Sequence, residues 1–122
     1  MNTDMYPPAS RELNARREQL TPDATKAFQA FGKAVFADGA LPAKTKELIA
    51  LAIGVAVRCD DCIAFHTKAA LAAGATDEEI WETLGTAIYM GAGPSVMYAS
   101  HALGAFNQFK DAGDRAHTIS DT

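Results

Sequence analysis

Several features that would assign this chain to a class of proteins are missing from it. It has no run of lysine and arginine, and its formal net charge is −4, so nothing favours binding to the phosphates of nucleic acid. Its first twenty residues contain no apolar run, so we expect no signal peptide. The longest apolar stretch, residues 48–57, is far shorter than the ~20 residues that span a bilayer. We therefore expect no membrane contact and a cytoplasmic protein.

Cysteines and strand signals are scarce as well. The only two cysteines are Cys59 and Cys62, and in the cytoplasm a CxxC pair is more often redox-active or metal-binding than structural. No alternation of apolar and polar residues predicts a strand or a hairpin, and no repeat or long linker divides the chain. With 122 residues the chain is expected to form one domain with a modest core.

Helical spacing runs through most of the sequence instead. Thr21 and Pro22 predict an N-cap followed by proline at the first helical position. Thr76, with Glu79 three residues later, predicts a capping box, and the residues GAGP at 91–94 predict a break between two helices. We therefore predict an all-α bundle of about five or six helices. Its expected parts are a polar N-terminal arm with a short helix after Ser10 (1–20), a helical domain (21–113) with helices over 21–38, 42–59, 60–74, 76–91 and 94–113, and a flexible tail (114–122).

The helix predicted from Pro42 becomes apolar on all sides after its first charged turns. That pattern is typical of the central helix of a bundle. Five or six short helices around such a centre leave more apolar surface than a chain of this length can cover. The sequence therefore predicts an oligomer, which we expect to be a homotrimer or homohexamer.

The segment CDDCIAFH concentrates the reactive side chains. If Cys59 lies at the start of a helix, Cys62 and His66 follow on the same face at i+3 and i+7. The positive end of the helix dipole favours a thiolate there, while Asp60 and Asp61 oppose it. A thiolate beside a second thiol can attack a peroxide or a disulfide, and the second thiol can resolve the product. The imidazole can carry the protons that each step moves.

Other interpretations of the same residues stay open. The cysteines could be plain core residues, since free cysteine is often buried. They could bind zinc together with His66, with Glu47 or His101 as a fourth ligand. Glu47 is the last charge before the apolar stretch, where it could serve proton transfer or lie solvated in a first helical turn. His101, a lone histidine among apolar residues, is expected to be a core or interface residue.

The order Glu47, eleven residues, Cys59-x-x-Cys62, three residues, His66 resembles the signature of the carboxymuconolactone decarboxylase-like superfamily, in its alkylhydroperoxidase D branch. The surrounding sequence, from Leu41 to Phe109, is similar to small members of that branch. The resemblance implies an all-helical fold that oligomerises, commonly as trimers or hexamers. It also implies a thiol-dependent peroxidase or disulfide reductase. We expect neither a cofactor nor a bound metal.

The resemblance also assigns roles to single residues. Cys62 is expected to attack a hydroperoxide, and Cys59 to resolve the product and exchange with an external dithiol such as a dihydrolipoyl group. Glu47 and His66 would form the proton relay. In alkylhydroperoxidase D a histidine lies just before the second cysteine, whereas Asp61 stands here. A carboxylate disfavours a neighbouring thiolate, which argues against efficient peroxidase activity.

Two other functions are alternatives at this point. The superfamily includes lactone decarboxylases, but these lack the paired cysteines, so the CxxC pair argues against that reaction. The chain could also be a non-enzymatic oligomeric module whose thiols sense the redox state or bind zinc. Replacement of Cys62 by serine distinguishes these cases, because it should abolish peroxide turnover and leave a decarboxylase or a scaffold largely unaffected.

Overall fold

The computed structural model describes residues 6–120 of the chain, which contain five α-helices joined by short loops. The helices are α1 (Tyr6–Leu20), α2 (Pro22–Val35), α3 (Ala43–Ala56), α4 (Asp60–Ala72) and α5 (Asp77–Ser120). No strand occurs within that range, so the predicted all-α fold is confirmed. No helix there combines the length and the apolar character that crossing a bilayer requires.

The first helix begins earlier than the sequence predicts. We expected an extended arm with a helix only after Ser10, but α1 begins at Tyr6. Pro7 and Pro8 therefore lie in its first turn, where backbone N–H groups have no partner within the helix and proline is tolerated. The prolines thus open this helix instead of preventing it. Residues 1–5 of the predicted arm lie outside the described residues.

The last helix runs further than predicted. We expected a frayed tail after Gly113, but α5 continues to Ser120. One glycine costs a helix only about 1 kcal/mol relative to alanine, and no proline follows it in the sequence. Residues 121 and 122 lie outside the described range, and the predicted domain boundaries themselves stay a prediction.

Helix α3 supplies the centre of the packing and contacts both α4 and α5. Its Leu51 and Val55 have no exposed surface. The other buried members of this core are Ile63, Ala64, Ala70, Ile80, Leu84, Ala87, Ala99, Ala102, Ala105 and Phe106. In contrast, Ile49, Ile53 and Val57 on the same helix are 45%, 55% and 62% exposed. The prediction of a central helix is therefore confirmed, and one face of α3 lies exposed on the single chain.

Helix α5 is broken at the predicted position. Ala92 has φ 57° and ψ −143°, outside the helical region, and Pro94 follows it. Gly91 makes the close packing at this point possible, because a Cβ there would overlap the hydroxyl of Ser95 and lie 3.7 Å from the Cα of Ala56. The break thus lies against the end of α3.

Helices α2 and α5 begin where the sequence predicts, directly after Thr21 and Thr76. Thr21 is the N-cap of α2 and is followed by proline. Before α5, the Thr76 N–H donates to Glu79 Oε1 at 2.8 Å and the Glu79 N–H donates to Thr76 Oγ1 at 3.2 Å, the predicted capping box. Lys44 Nζ lies 2.9 Å from the other carboxylate oxygen of Glu79. The Thr76 N–H, and after it Lys44, hold the pKa of Glu79 below its ordinary value of 4.5.

The end of α2 is held by a lysine of the next helix. We expected α2 to continue to Asp38, but it ends at Val35. Lys46 Nζ donates to the carbonyl oxygens of Val35 at 2.9 Å and of Ala37 at 2.7 Å. The first bond satisfies a carbonyl that the helix leaves unpaired at its C-terminus, and the second holds the chain just beyond it. They also fix the position of Phe36, the residue that directly follows α2.

Candidate active site

A tight turn places the CxxC segment between α3 and α4. The Cys59 N–H donates to the Gly54 carbonyl at 2.9 Å and the Arg58 N–H to the Val55 carbonyl at 3.2 Å. These two bonds form the Schellman motif that ends many helices. Arg58 occupies the left-handed position of the motif, with φ 60°, where glycine is the usual residue. Because of this turn α3 ends at Ala56. The sequence had predicted that it would continue to Cys59.

Glycine at position 54 brings α3 close to the first turn of α4. A Cβ at Gly54 would lie only 3.1 Å from the Cβ of Cys62, nearer than almost all real contacts between such atoms. Any side chain there would push the two helices apart. Gly54 therefore sets the distance between the carboxylate on α3 and the thiols on α4.

The two cysteines lie within reach of each other at the start of α4. Their Cα atoms are 5.2 Å apart and their sulfurs are joined in a disulfide, a separation that is usual for such bonds. Cys59 is the N-cap residue of α4, and its Sγ accepts a hydrogen bond from the Cys62 N–H at 3.1 Å. Both residues are partly buried. The pair predicted from the sequence is thus placed to form a disulfide across the first turn of α4.

Glu47 and His66 form a pair next to these cysteines. Oε2 of Glu47 on α3 lies 2.7 Å from Nδ1 of His66 on α4. The side chains of Glu47 and His66 are only 14% and 26% exposed. Because an ionised carboxylate can only accept hydrogen bonds, it holds the proton on Nδ1 of a neutral imidazole and leaves Nε2 as the proton acceptor. The structure thus brings together the two residues that the sequence predicts to form a relay.

An apolar cavity of about 420 Å³ opens beside the pair. Cys62 and His66, the expected thiol and proton carrier, both line this cavity. The charged residues Arg17 and Asp61 line it as well. Cys59 is not part of its wall. The aromatic part of the wall consists of Phe28, Phe31, Phe36 and Phe65. A cavity of this size and polarity is typical of a site for a small organic molecule.

The aromatic wall was not predicted from the sequence. Phe28 and Phe31 have the spacing of one apolar face of α2, which alone would suggest a core, but they are 62% and 64% exposed at the cavity. Phe36 stacks on the imidazole of His66, with ring centroids 5.4 Å apart and an angle of 26°. Arg17 of α1 lies over the ring of Phe65, 5.4 Å from its centroid. Periodicity shows that a helix face is apolar, and it contains no signal that separates a core from a cavity.

The zinc interpretation finds no cluster to support it in the described range. Among the side chains that the structure describes (residues 11–12 and 15–113), no group of three or more histidines, cysteines, aspartates or glutamates has the geometry to hold a metal ion. His101 is not part of the cavity wall. Its ring instead contacts Tyr98, with centroids 4.9 Å apart, as expected of a packed histidine.

Comparisons with known proteins give a consistent result. The model of the carboxymuconolactone decarboxylase family matches residues 22–105. An uncharacterised protein of Cupriavidus necator is 52% identical over 89 residues, which are 73% of this chain and 79% of that protein. An uncharacterised protein encoded in the cox locus of Paracoccus denitrificans is 43% identical over 86 residues, 70% of this chain and 78% of that protein.

Solved structures agree with the sequence comparisons. The crystal structure of an apo carboxymuconolactone decarboxylase family protein from Legionella pneumophila superposes with a TM-score of 0.80 at 43% identity, covering 87% of this chain and 97% of that one. A family protein from Thermotoga maritima superposes with a TM-score of 0.76 at 35% identity, covering 93% and 97%. A role in an antioxidative response has been suggested for the Thermotoga protein.

Proposed function

The chain belongs to the carboxymuconolactone decarboxylase family, and we propose that within it the protein is a thiol-dependent peroxidase and disulfide oxidoreductase of the alkylhydroperoxidase D kind. The observation that carries the proposal is the placement of a disulfide-forming pair, Cys59 and Cys62, beside the Glu47–His66 pair and an apolar cavity. The antioxidative role suggested for the Thermotoga protein supports it.

Oxidation starts from the dithiol form. The thiolate of Cys62 attacks the terminal oxygen of a hydroperoxide, which leaves a sulfenic acid on Cys62 and releases an alkoxide. His66 lies one helical turn from Cys62 and on the same cavity wall, so its imidazolium can give the alkoxide a proton. Glu47 holds the imidazole through Nδ1 and stabilises its positive charge.

Closing of the disulfide completes the oxidation. Cys59 loses its proton to the imidazole, and its thiolate attacks the sulfur of the sulfenic acid. Hydroxide leaves and takes up that proton to become water. In total, one hydroperoxide and two thiols give one alcohol, one water and one disulfide. An external dithiol, of which a dihydrolipoyl group is one example, then reduces the disulfide and becomes a disulfide itself.

The cavity favours organic hydroperoxides over hydrogen peroxide. Its aromatic wall can bury an alkyl or aryl group, which stabilises the bound state by about 25 cal/mol per Å² of apolar surface removed from water. Hydrogen peroxide has no such group. We expect the rate constant for cumene hydroperoxide to exceed that for hydrogen peroxide.

Two variants test the proposed function together. Cys62→Ser should abolish consumption of cumene hydroperoxide in the presence of dihydrolipoamide. Without any reductant, Cys59→Ser should consume only one equivalent and leave a sulfenic acid that dimedone traps. A lactone decarboxylase would be insensitive to both variants, and a redox sensor would form the disulfide without turning over. If wild-type protein leaves the peroxide untouched and keeps both thiols, the peroxidase proposal is wrong.

Assembly with copies of the same chain is part of the proposal. Large apolar side chains lie exposed along α3, at Ile49, Ile53 and Val57, and beside the break in α5, where Tyr89 and Met90 are 86% and 74% exposed. Burying such a patch is favourable, and the predicted homotrimer or homohexamer would bury it. Light scattering that finds a monomer would contradict this. Because a reducible CxxC pair suits a reducing compartment, we also place the protein in the cytoplasm.

A further inference from the structure

The two sulfurs of the disulfide have different surroundings. Cys62 belongs to the wall of the apolar cavity, whereas Cys59 does not. Cys59 instead caps α4, where its Sγ accepts the Cys62 N–H at 3.1 Å. One cysteine thus lines the cavity, and the sulfur of the other accepts a hydrogen bond from a backbone N–H at the positive end of a helix.

We propose that the external dithiol enters the same cavity as the hydroperoxide and attacks Cys62, so that Cys59 is the sulfur released as a thiolate. The proposal rests on the proposed function, because it concerns the reductive half of that cycle. It reverses the assignment that the resemblance implies, in which Cys59 exchanges with the dithiol.

The leaving sulfur is selected by how well it bears negative charge. In thiol–disulfide exchange the more stable thiolate leaves faster. The hydrogen bond that Cys59 Sγ accepts from the Cys62 N–H and the dipole of α4 both favour a thiolate at Cys59. Asp60 directly follows Cys59, and Asp61 directly precedes Cys62 and lines the cavity with it, so each cysteine has one neighbouring carboxylate that opposes its thiolate. The position of Cys62 on the cavity wall and the better stabilised thiolate of Cys59 therefore both favour attack on Cys62.

The reductive steps balance with the dithiol as the only reductant. Its first thiolate forms a bond to the sulfur of Cys62 and breaks the bond to Cys59, which leaves as a thiolate. Its second thiol loses a proton and attacks the first sulfur of the reductant, which breaks the mixed disulfide and releases Cys62. His66, on the cavity wall, is placed to take the proton from the second thiol and return it to a cysteine. The protein gains two electrons, and the dithiol becomes a cyclic disulfide.

A shared cavity predicts a preference among thiols. Benzyl mercaptan and 2-mercaptoethanol are thiols of similar basicity, but only the first carries an aromatic ring. If attack occurs from the cavity, benzyl mercaptan should react about tenfold faster, because its ring is buried against the phenylalanines. Attack from solvent on Cys59 would give the two thiols similar rates.

The position of the mixed disulfide is the direct test. Oxidised wild-type protein is treated briefly with limiting benzyl mercaptan, quenched in acid, and its free thiols are alkylated. Trypsin should cut after Arg58 and Lys68, so that both cysteines lie in one peptide whose fragment ions locate the adduct. The same protein unfolded in urea is the matched control, because it keeps the disulfide and loses the cavity and the cap.

The outcomes separate the inference from the proposed function. We expect the adduct on Cys62 and the alkyl group on Cys59 in the folded protein, and a mixture of both arrangements in urea. An adduct on Cys59 in the folded protein would overturn the inference and leave the peroxidase proposal intact. The absence of any adduct, together with a disulfide that dihydrolipoamide does not reduce, would overturn both.

Discussion

Replacement of Glu47 by glutamine isolates the charge of the proposed relay. The change keeps the shape of the side chain and removes the carboxylate that lies 2.7 Å from Nδ1 of His66. Because only 14% of the Glu47 side chain is exposed, water screens this bond weakly and the bond is charge-assisted. The substitution therefore removes an interaction that becomes stronger whenever the imidazole takes up a proton.

The size of the effect follows from the strength of such a bond. A hydrogen bond to a charged group contributes about 1.5–3 kcal/mol. If the imidazole is positive in the transition state of thiol oxidation, the loss of that contribution slows disulfide formation about 10- to 150-fold. The glutamine can also donate to Nδ1, which would move the imidazole proton to Nε2 and remove the acceptor that the reaction needs.

The assay is a single turnover. Reduced protein is mixed with cumene hydroperoxide, and the loss of both thiols is followed in time. Nitrogen-15 chemical shifts of His66 report which ring nitrogen carries the proton, a readout that a purely structural role of Glu47 would not change. Glu79→Gln is the control, because it removes a carboxylate that pairs with Lys44 and lies outside the cavity wall. If Glu47→Gln is oxidised at the wild-type rate, Glu47 is not part of the relay.

Three further predictions concern turns with positive φ, a charge beside Cys62 and the capping box of α5. Arg58 and Gly74 both have positive φ, which glycine adopts more easily than other residues. Arg58→Gly should therefore raise the free energy of unfolding by about 1 kcal/mol, and Gly74→Ala should lower it by about as much. Urea titrations measure both changes, and unchanged midpoints would contradict the prediction. Asp61→Asn should speed the reaction of reduced protein with peroxide about two- to fivefold, because an exposed charge beside Cys62 disfavours its thiolate, and a slower variant would show that Asp61 assists instead. Folding lowers the pKa of Glu79 below 4.5, so its ionised form stabilises the fold above that pH and the contribution is lost as the pH falls through the lower folded value. Glu79→Gln should therefore flatten the acid branch of the stability curve, which thermal melts between neutral and acid pH measure.

Errors in the predicted helix boundaries have a common physical origin. Pro7 and Pro8 suggested an extended arm, yet they lie inside the first turn of α1. The helix predicted to reach Cys59 ends at Ala56 because Arg58 adopts a left-handed conformation that its side chain disfavours. In each case the sequence shows only the local preference of a residue. The surrounding packing determines whether that preference is followed.

What the sequence by itself determined is local. The helix starts after Thr21 and Thr76, the break before Pro94 and the placement of Cys59, Cys62 and His66 at the start and along one face of α4 all depend on residues a few positions apart. Such interactions are set by the helical repeat and by capping chemistry, which a single sequence displays. The family resemblance added Glu47 to this set before any contact was known.

Only the tertiary structure decided how these local elements meet. It brought Glu47 to His66 across 19 positions of sequence, placed Cys62 in one cavity with the phenylalanines and left Cys59 out of the cavity wall. These outcomes depend on the approach of α3 to α4 at Gly54 and on the bonds from Lys46 to the end of α2. Contacts of this kind arise from the packing of distant side chains at close range. The repeat along a single helix contains no information about which distant residue fills the space beside it.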